Sequence, residues 1–158
     1  MIVVADTSPL SYLILIGEID LLVHLFGRIF VPEAVVEELR HPAVPETVAG
    51  WLREPPPWLS ISPTASQEVP PELESLDVGE REAILLARAL QADLLIVDDK
   101  AARIAARRLG LTVTGTLGVL EVGARRGLID LRATLGRLRT TNFRVAPRLL
   151  AHLLERNP

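Results

Sequence analysis

The stretch Leu94-Leu95-Ile96-Val97-Asp98-Asp99-Lys100 is an apolar run that ends on two adjacent carboxylates. Four branched aliphatic residues in a row predict a central strand buried on both faces, as in parallel sheets flanked by helices. A second apolar run, Met1-Ile2-Val3-Val4-Ala5, ends on Asp6. In open α/β sheets, ligands bind at the carboxyl ends of the strands. We therefore expect these acids to converge on one crevice.

Strands and helices alternate along the rest of the chain. Further strands are predicted at 28–31, 58–61 and 111–114. Helices are predicted at about 8–16, 20–26, 33–40, 48–52, 79–90, 100–109, 115–126, 130–139 and 146–156. Ser8-Pro9 is expected to start the first helix, because a Ser hydroxyl caps a helix and Pro suits its first position. The alternation predicts an α/β fold with a parallel sheet between helices.

Length and composition limit the possible architectures and sites. At 158 residues the chain fits one domain, and we expect residues 1–158 to form it, with the helices of about 130–158 packing onto it. There is no cysteine, and the three histidines are scattered, so any metal would need oxygen ligands. The first apolar run has no basic leader and Asp6 interrupts it early, so we expect a cytoplasmic protein without a membrane span.

Charge is unevenly distributed, although the formal net charge is only −3. Residues 1–99 carry 17 acidic and 5 basic residues, whereas residues 100–158 carry 3 acidic and 12 basic ones. This division fits an acidic metal-binding centre joined to a basic surface for a polyanion, because Arg and Lys dominate contacts with phosphates. Solvated helix faces explain the arginines about equally well.

Several known phosphate-handling and hydrolytic motifs are absent from the sequence. It has no Walker loop, no dinucleotide fingerprint and no Gly-x-Ser-x-Gly elbow. A haloacid-dehalogenase-type phosphatase would have a second Asp where Ser8 stands, and a receiver domain would have its acid pair after the first strand. Scattered carboxylates remain, at Asp6, Glu38, Glu80 or Glu82, and Asp98 or Asp99. If crowded together they would need a cation, and Mg²⁺ or Mn²⁺ prefers oxygen ligands.

Each of these acids also has a simpler structural interpretation. Asp6 would cap the first helix in place of Ser8, and Glu38 would lie on a solvated helix face. Glu80 and Glu82 would complement a helix dipole. One residue of the pair Asp98-Asp99 is expected to cap the following helix.

Four motifs follow one another along the chain: Asp6-Thr7-Ser8, Val31-Pro32-Glu33-Ala34-Val35-Val36-Glu37-Glu38-Leu39, Gly79-Glu80-Arg81-Glu82-Ala83-Ile84 and Ile96-Val97-Asp98-Asp99. Their order resembles that of the PIN-domain nucleases, in particular the branch related to VapC-type toxins of toxin–antitoxin pairs. The stretches 115–120 and 126–129 resemble the same branch, so the resemblance covers nearly the whole chain. It implies a PIN-like three-layer α/β/α sandwich.

The resemblance also implies roles for individual residues. The implied catalytic acids around Mg²⁺ or Mn²⁺ are Asp6, Glu38, Glu82 and Asp99, with Glu80 and Asp98 as further candidate ligands. The family usually has Asp at the position of Glu82. Ser8 would steady a carboxylate or a metal-bound water. From their sequence positions, Thr116 is expected to cap its helix or contact a phosphate, and the candidate RNA contacts are Lys100, Arg103, Arg107 and Arg108.

The function implied by the resemblance is divalent-metal-dependent hydrolysis of RNA by an endoribonuclease, as in the toxin of a toxin–antitoxin pair. Family members cleave single-stranded or structured RNA, and the implied products are a 5′-phosphate and a 3′-hydroxyl. The implied protein partners are a small antitoxin and a second copy of the chain in a homodimer. The alternative is a non-catalytic PIN-like protein that serves as a binding or structural subunit.

Overall fold

A parallel sheet forms the middle layer of the computed structural model, which describes residues 1–63 and 68–158. In this part of the chain its strands are β1 (Val3–Ala5), β2 (Ile29–Pro32), β3 (Leu59–Ser62), β4 (Leu94–Ile96) and β5 (Val113–Thr114). They pair in the order β3-β2-β1-β4-β5, and every pairing is parallel. The predicted parallel sheet is therefore confirmed.

Helices cover both faces of the sheet. They are α1 (Thr7–Leu15), α2 (Leu21–Phe26), α3 (Glu33–Leu39), α4 (Glu46–Arg53), α5 (Val78–Ala89), α6 (Lys100–Arg108), α7 (Thr116–Arg125), α8 (Leu131–Leu138) and α9 (Pro147–Arg156). A short 3₁₀ helix at Pro71–Leu73 was not predicted from the sequence. In the described ranges, no helix is both long and apolar enough to cross a membrane.

Alternate residues of the strands enter two separate cores, as the period of a β-strand requires. Val3 and Ala5 pack with residues of α1, α2, α4, α7 and α8, whereas Val4 packs with residues of α5 and α6. In the same way Ile96 enters the first core and Leu95 the second. The result is a three-layer α/β/α sandwich, as expected.

The apolar run 94–97 is buried as predicted, but it is not the central strand. Leu95, Ile96 and Val97 have no exposed surface. β4 lies between β1 and β5, and β1 occupies the middle of the sheet because it pairs with both β2 and β4. An apolar sequence indicates that a strand is buried on both faces. Every internal strand of the sheet is buried in this way, so apolar content does not determine the strand order.

The start of the first helix also differs from the prediction. α1 begins at Thr7, and Asp6 occupies the N-cap position with an extended backbone. Ser8 therefore lies inside the first turn instead of capping it. The Asp6 amide donates a hydrogen bond to the Ile96 carbonyl at 2.9 Å, so the pairing of β1 with β4 ends at Asp6. The helix begins directly after this residue. The Asp6 side chain makes no capping hydrogen bond, so the proposed capping role for Asp6 is wrong.

Residues after 130 pack onto the first core. Leu131, Leu135 and Leu138 of α8 are buried in it, and Leu150 and Leu154 of α9 pack against it. In α9 only Leu153 is fully buried. The last helix therefore covers the body with a narrow apolar stripe.

Truncating Ile96 should destabilise the protein strongly, because its side chain fills the first core. We expect Ile96→Ala to lower the free energy of unfolding by about 2–5 kcal/mol. Ile104→Ala is the matched control, since Ile104 on α6 is 38% exposed and its loss should change stability by less than about 1 kcal/mol. Urea denaturation of both variants measures the difference. Equal losses would contradict the placement of β4 in the core.

Candidate active site

A cavity of about 740 Å³ opens at the carboxyl edge of the sheet. It is reached by the first turn of α1, the start of α5, the loop after β4 and the start of α7. Five carboxylates line it: Asp77, Glu80, Asp98, Asp99 and Glu121. A crevice is therefore present at the end of β4. Of the acids expected there, Asp98 and Asp99 line it, whereas Asp6 and Glu38 do not belong to its lining.

Asp6 is the most deeply buried of the predicted site acids. Its side chain is 4% exposed, and its Oδ1 atom is buried without a hydrogen-bond partner within residues 1–63 and 68–158. Burial raises the pKa of Asp6 to about 7, although the Thr7 backbone amide opposes this shift. The charges of Glu38, Asp77 and Asp98 raise the pKa further. Asp6 therefore has a buried, unpartnered oxygen, and ionising its carboxyl group is costly because other acids are near.

Glu38 on α3 is held by two donors from other parts of the chain. Thr7 Oγ1 donates to Glu38 Oε2 at 2.5 Å, and the Gly79 amide donates to Oε1 at 3.0 Å. A Cβ atom on residue 79 would lie 2.7 Å from Oε2 and from the carboxyl carbon of Glu38. Only glycine at this position lets α5 approach the carboxylate so closely. Glu38 is half-buried and fixed in place, which a solvated helix acid would not be.

Glu80 and Asp77 form the capping box of α5. The Glu80 amide donates to Asp77 Oδ1 at 2.9 Å, and the Asp77 amide donates to Glu80 Oε1 at 3.4 Å. Burial raises the pKa of Glu80 to about 8, and the charges of Asp77, Asp99 and Asp6 contribute to the shift. Glu80 therefore combines a structural capping role with a position among the site acids.

Glu82 is placed differently. It is half-buried and does not belong to the lining of the cavity. Because Asp77 is the N-cap residue, Glu80 occupies the third helical position, and Glu82 lies about 200° further around the helix axis. The cavity lining thus includes Glu80 and not Glu82, and the charges of Asp77, Asp99 and Asp6 act on Glu80.

The two aspartates after β4 have separate tasks. Asp98 accepts two hydrogen bonds from Thr116, from its amide and from its hydroxyl, both at 2.7 Å. Burial raises the pKa of Asp98, while the Thr116 hydrogen bonds and the nearby charge of Arg103 lower it. Asp99 caps α6 by accepting from the Ala102 amide at 2.9 Å. One of the pair does cap the next helix, as expected, and both line the cavity.

Thr116 is fully buried and acts as the anchor of Asp98. It is the first residue of α7, whose N-cap position belongs to Gly115, so the expected capping role of Thr116 is wrong. A Cβ atom on residue 115 would lie 2.7 Å from Asp98 Oδ1. The turn after β5 therefore needs a glycine for the same reason as the start of α5. Ser8 is exposed at the cavity wall.

The acids can be tested against the needs of Mg²⁺ or Mn²⁺. In the part of the chain that the structure describes, no group of three Asp, Glu or His side chains is arranged to hold a metal on its own. Mg²⁺ keeps several waters and is usually held by only one or two carboxylates. The unpartnered Oδ1 of Asp6 and the raised pKa values of Glu80 and Asp98 fit such an ion. A cation would offset the repulsion among these carboxylates.

Basic residues reach the cavity from two directions. Of the four predicted RNA contacts, Arg103 lines the cavity, whereas Lys100, Arg107 and Arg108 are exposed on α6 outside it. Two arginines that the sequence did not single out, Arg144 and Arg156, also line it. Both lie in the C-terminal part of the chain. The excess of basic residues in this part was the only feature of the sequence that pointed to them.

The whole chain matches one protein family. The model of the family DUF3368, described as a PIN domain, matches residues 2–157. The chain belongs to the PIN-domain family. Its structure is similar to that of a PilT N-terminus domain protein, SSO1118, from the archaeon Sulfolobus solfataricus P2, with 20% identity and a TM-score of 0.54. This similarity covers 85% of the present chain and 94% of the other and concerns the fold. No curated protein sequence gave a match.

Besides Arg144 and Arg156, the sequence did not identify Thr7 and Asp77 of this PIN domain as site residues. Thr7 was quoted in a motif, but Ser8 was named as the supporting hydroxyl, and it is Thr7 that bonds Glu38. Asp77 contributes to the raised pKa values of both Asp6 and Glu80. Its position three residues before a Glu, as in a capping box, was the signal that could have revealed it.

Adding one methyl group at residue 79 should destabilise the protein. Ala is the better helix former, but in Gly79→Ala the new Cβ would displace the Glu38 carboxylate and break its hydrogen bond to the residue 79 amide. We expect a loss of about 1–3 kcal/mol in the free energy of unfolding. Gly136→Ala on α8 is the control, because its Cβ would meet nothing within 4 Å and should stabilise by about 0.5–1 kcal/mol. If both variants change the free energy of unfolding in the same direction, the close packing of residue 79 against Glu38 is wrong.

Asp6→Asn should stabilise the metal-free protein, and more so at higher pH. The pKa of Asp6 rises from 3.8 to about 7 on folding, so the contribution of its protonated form to stability is full below pH 3.8 and is lost as pH rises through about 7. Asn carries no charge at any of these pH values. Thermal denaturation in EDTA between about pH 5 and pH 8 should show a widening gap in Tm between variant and wild type.

The exposed Asp20 provides the control for loss of a negative charge, as Asp20→Asn. If the gap between Asp6→Asn and wild type stays constant across this pH range, the buried ionised state of Asp6 does not limit stability.

Proposed function

We propose that this PIN domain is a divalent-metal-dependent endoribonuclease. The observation that carries the proposal is the buried Oδ1 of Asp6, which has no hydrogen-bond partner among the described residues and feels the charges of other carboxylates. Burying an unpaired charge is costly unless it pairs or binds a cation. A fold that keeps this arrangement at the carboxyl edge of a parallel sheet is suited to a metal and a polyanionic substrate.

The proposed metal-holding residues are Asp6, Glu80, Asp98 and Asp99, and Glu38 supports them. When bound, Mg²⁺ or Mn²⁺ lowers the pKa of water and neutralises negative charge on the phosphodiester. The protein fixes the acids before substrate arrives, since Thr116 holds Asp98 and Ala102 holds Asp99. Arg103 lines the same cavity, where its charge can position the RNA backbone.

Between the two glutamates of α5, we assign the metal-holding role to Glu80. The support is its place in the cavity lining and its electrostatic contact with Asp6 and Asp99. The resemblance by sequence motif favoured Glu82 instead, because that residue occupies the position where the family usually has Asp. Variants of the two residues therefore test the assignment from the cavity geometry against the one from the sequence motif.

We propose more specifically that this endoribonuclease is the toxin of a toxin–antitoxin pair. The resemblance to VapC-type toxins implies a small antitoxin protein and a second copy of the chain as partners, and the cytoplasmic location remains the expectation from the sequence. The support for these partners is the order of the four motifs along the chain. Co-purification with the product of a small neighbouring open reading frame tests the partner.

Cleavage of a mixed-sequence RNA with Mn²⁺ or Mg²⁺, with and without EDTA, tests the enzymatic role. We expect Asp6→Asn and Asp99→Asn to reduce the rate by about 100-fold or more, since removing one group that acts on transition-state charge costs about that much. Asn caps helices as well as Asp does, so Asp99→Asn should keep α6 intact. We further expect a large loss for Glu80→Gln and a small one for Glu82→Gln.

The outcomes separate the alternatives. Equal cutting by wild type and Asp6→Asn would indicate a contaminant, and a larger loss for Glu82→Gln than for Glu80→Gln would reverse the assignment on α5. If wild type neither cuts RNA nor binds a divalent metal in calorimetry, the chain is a non-catalytic PIN-like subunit.

A further inference from the structure

The cavity has a second wall that the acidic centre does not explain. Tyr12 of α1 and Phe143 meet edge to face there, with ring centroids 4.9 Å apart and an interplanar angle of 90°. Leu149 and Leu153 of α9 continue the same wall. Leu149 is 43% exposed, Tyr12 and Phe143 are half-buried, and Leu153 is buried, so the accessible part of this wall comes from the first three residues. The same cavity holds the five carboxylates named above, and the charge of Asp98 acts on Tyr12.

The two aromatic rings are fixed in place by their surroundings. The Tyr12 hydroxyl donates to Asn142 Oδ1 at 2.8 Å, and the Phe143 amide donates to Thr141 Oγ1 at 3.2 Å. Both rings also pack against the first core, although each is only half-buried. A rigid aromatic surface binds a flat ligand at little cost in entropy.

Three arginines border this wall, and their present contacts differ. Arg156 is paired with Glu121 at 3.0 Å, and the charge of Arg103 acts on Asp98. Arg144 follows Phe143 directly and is exposed. None of the ion pairs formed by the described residues includes Arg144. A free guanidinium next to an aromatic ring suits a nucleotide, whose phosphate and base lie close together.

We infer that the wall of Tyr12 and Phe143 binds an unpaired base of single-stranded RNA, with Arg144 on an adjacent phosphate. The inference rests on the proposed function, since it places the neighbouring phosphodiester at the acidic centre. An aromatic face offers nothing to a bare phosphate, whereas it stacks on any unpaired base. Bases within a duplex are already stacked and paired, so they cannot reach this wall. A cavity of about 740 Å³ has room for a nucleotide-sized group.

Binding measured without metal isolates this subsite from catalysis. The probes are a fluorescently labelled single-stranded RNA of mixed sequence, the same strand in a duplex, and a strand of equal length with abasic nucleotides. Fluorescence anisotropy in EDTA gives the Kd of each for wild type, Phe143→Leu, Phe143→Tyr and Arg144→Gln. Leu keeps an apolar side chain but removes the ring, and Tyr keeps the ring.

We expect Phe143→Leu to weaken binding of the normal single strand about fivefold or more, the factor that corresponds to the weakest measured base stacking. Its affinity for the abasic strand should not change, and Phe143→Tyr should bind like wild type. Arg144→Gln should weaken the normal and abasic strands equally, because it removes a phosphate contact. Wild type should bind the single strand more tightly than the duplex.

Unchanged affinity in Phe143→Leu would overturn the inference, and so would an equal loss for normal and abasic strands or no binding by wild type. The cleavage assay remains an independent measurement. If wild type cuts RNA with metal but Phe143→Leu shows no base-dependent loss of affinity, the subsite hypothesis is wrong and the nuclease hypothesis stands. If binding depends on the base but wild type does not cut RNA, the subsite hypothesis stands and the nuclease hypothesis is wrong.

Discussion

Repulsion between carboxylates that the sheet brings to one edge is the constraint on which the site depends. Asp6 lies at the end of the middle strand, so the acids after β4 and at the start of α5 surround it on the same side. Burial and these charges raise the pKa of Asp6 to about 7 and that of Glu80 to about 8. The fold tolerates this cost only because the rest of both cores is well packed and apolar.

The acids are held by the same hydrogen bonds that begin the helices around them. Asp99 caps α6, Asp77 and Glu80 cap α5, and Asp98 receives both donors of Thr116 at the start of α7. Free helix amides need an acceptor in any protein. Here the acceptors are Asp77, Asp98 and Asp99, which also line the cavity. A change in where one of these helices begins would therefore also move an acid of the site. This coupling keeps like charges close together without a flexible loop.

The chain after residue 140 supplies part of the cavity lining, including Phe143 and Arg144. Tyr12 and Asn142 join α1 to this segment, and the Glu121–Arg156 ion pair joins α7 to α9. The sequence showed that this half of the chain is basic, and it predicted the two last helices. It attributed RNA contacts to α6, however, where three of the four candidates lie outside the cavity. Charge composition does not reveal which face of a helix meets a cavity.

The sequence by itself determined the parallel sheet, the layers of helices and the convergence of acids, because apolar runs that end on Asp follow the period and polarity of parallel strands. Tertiary structure alone decided that β1 is central, that Glu80 and not Glu82 lines the cavity, and that Thr7 and not Ser8 holds Glu38. Each choice depends on a rotation of about 100° per helical residue, or on pairing between distant strands, which local sequence does not specify.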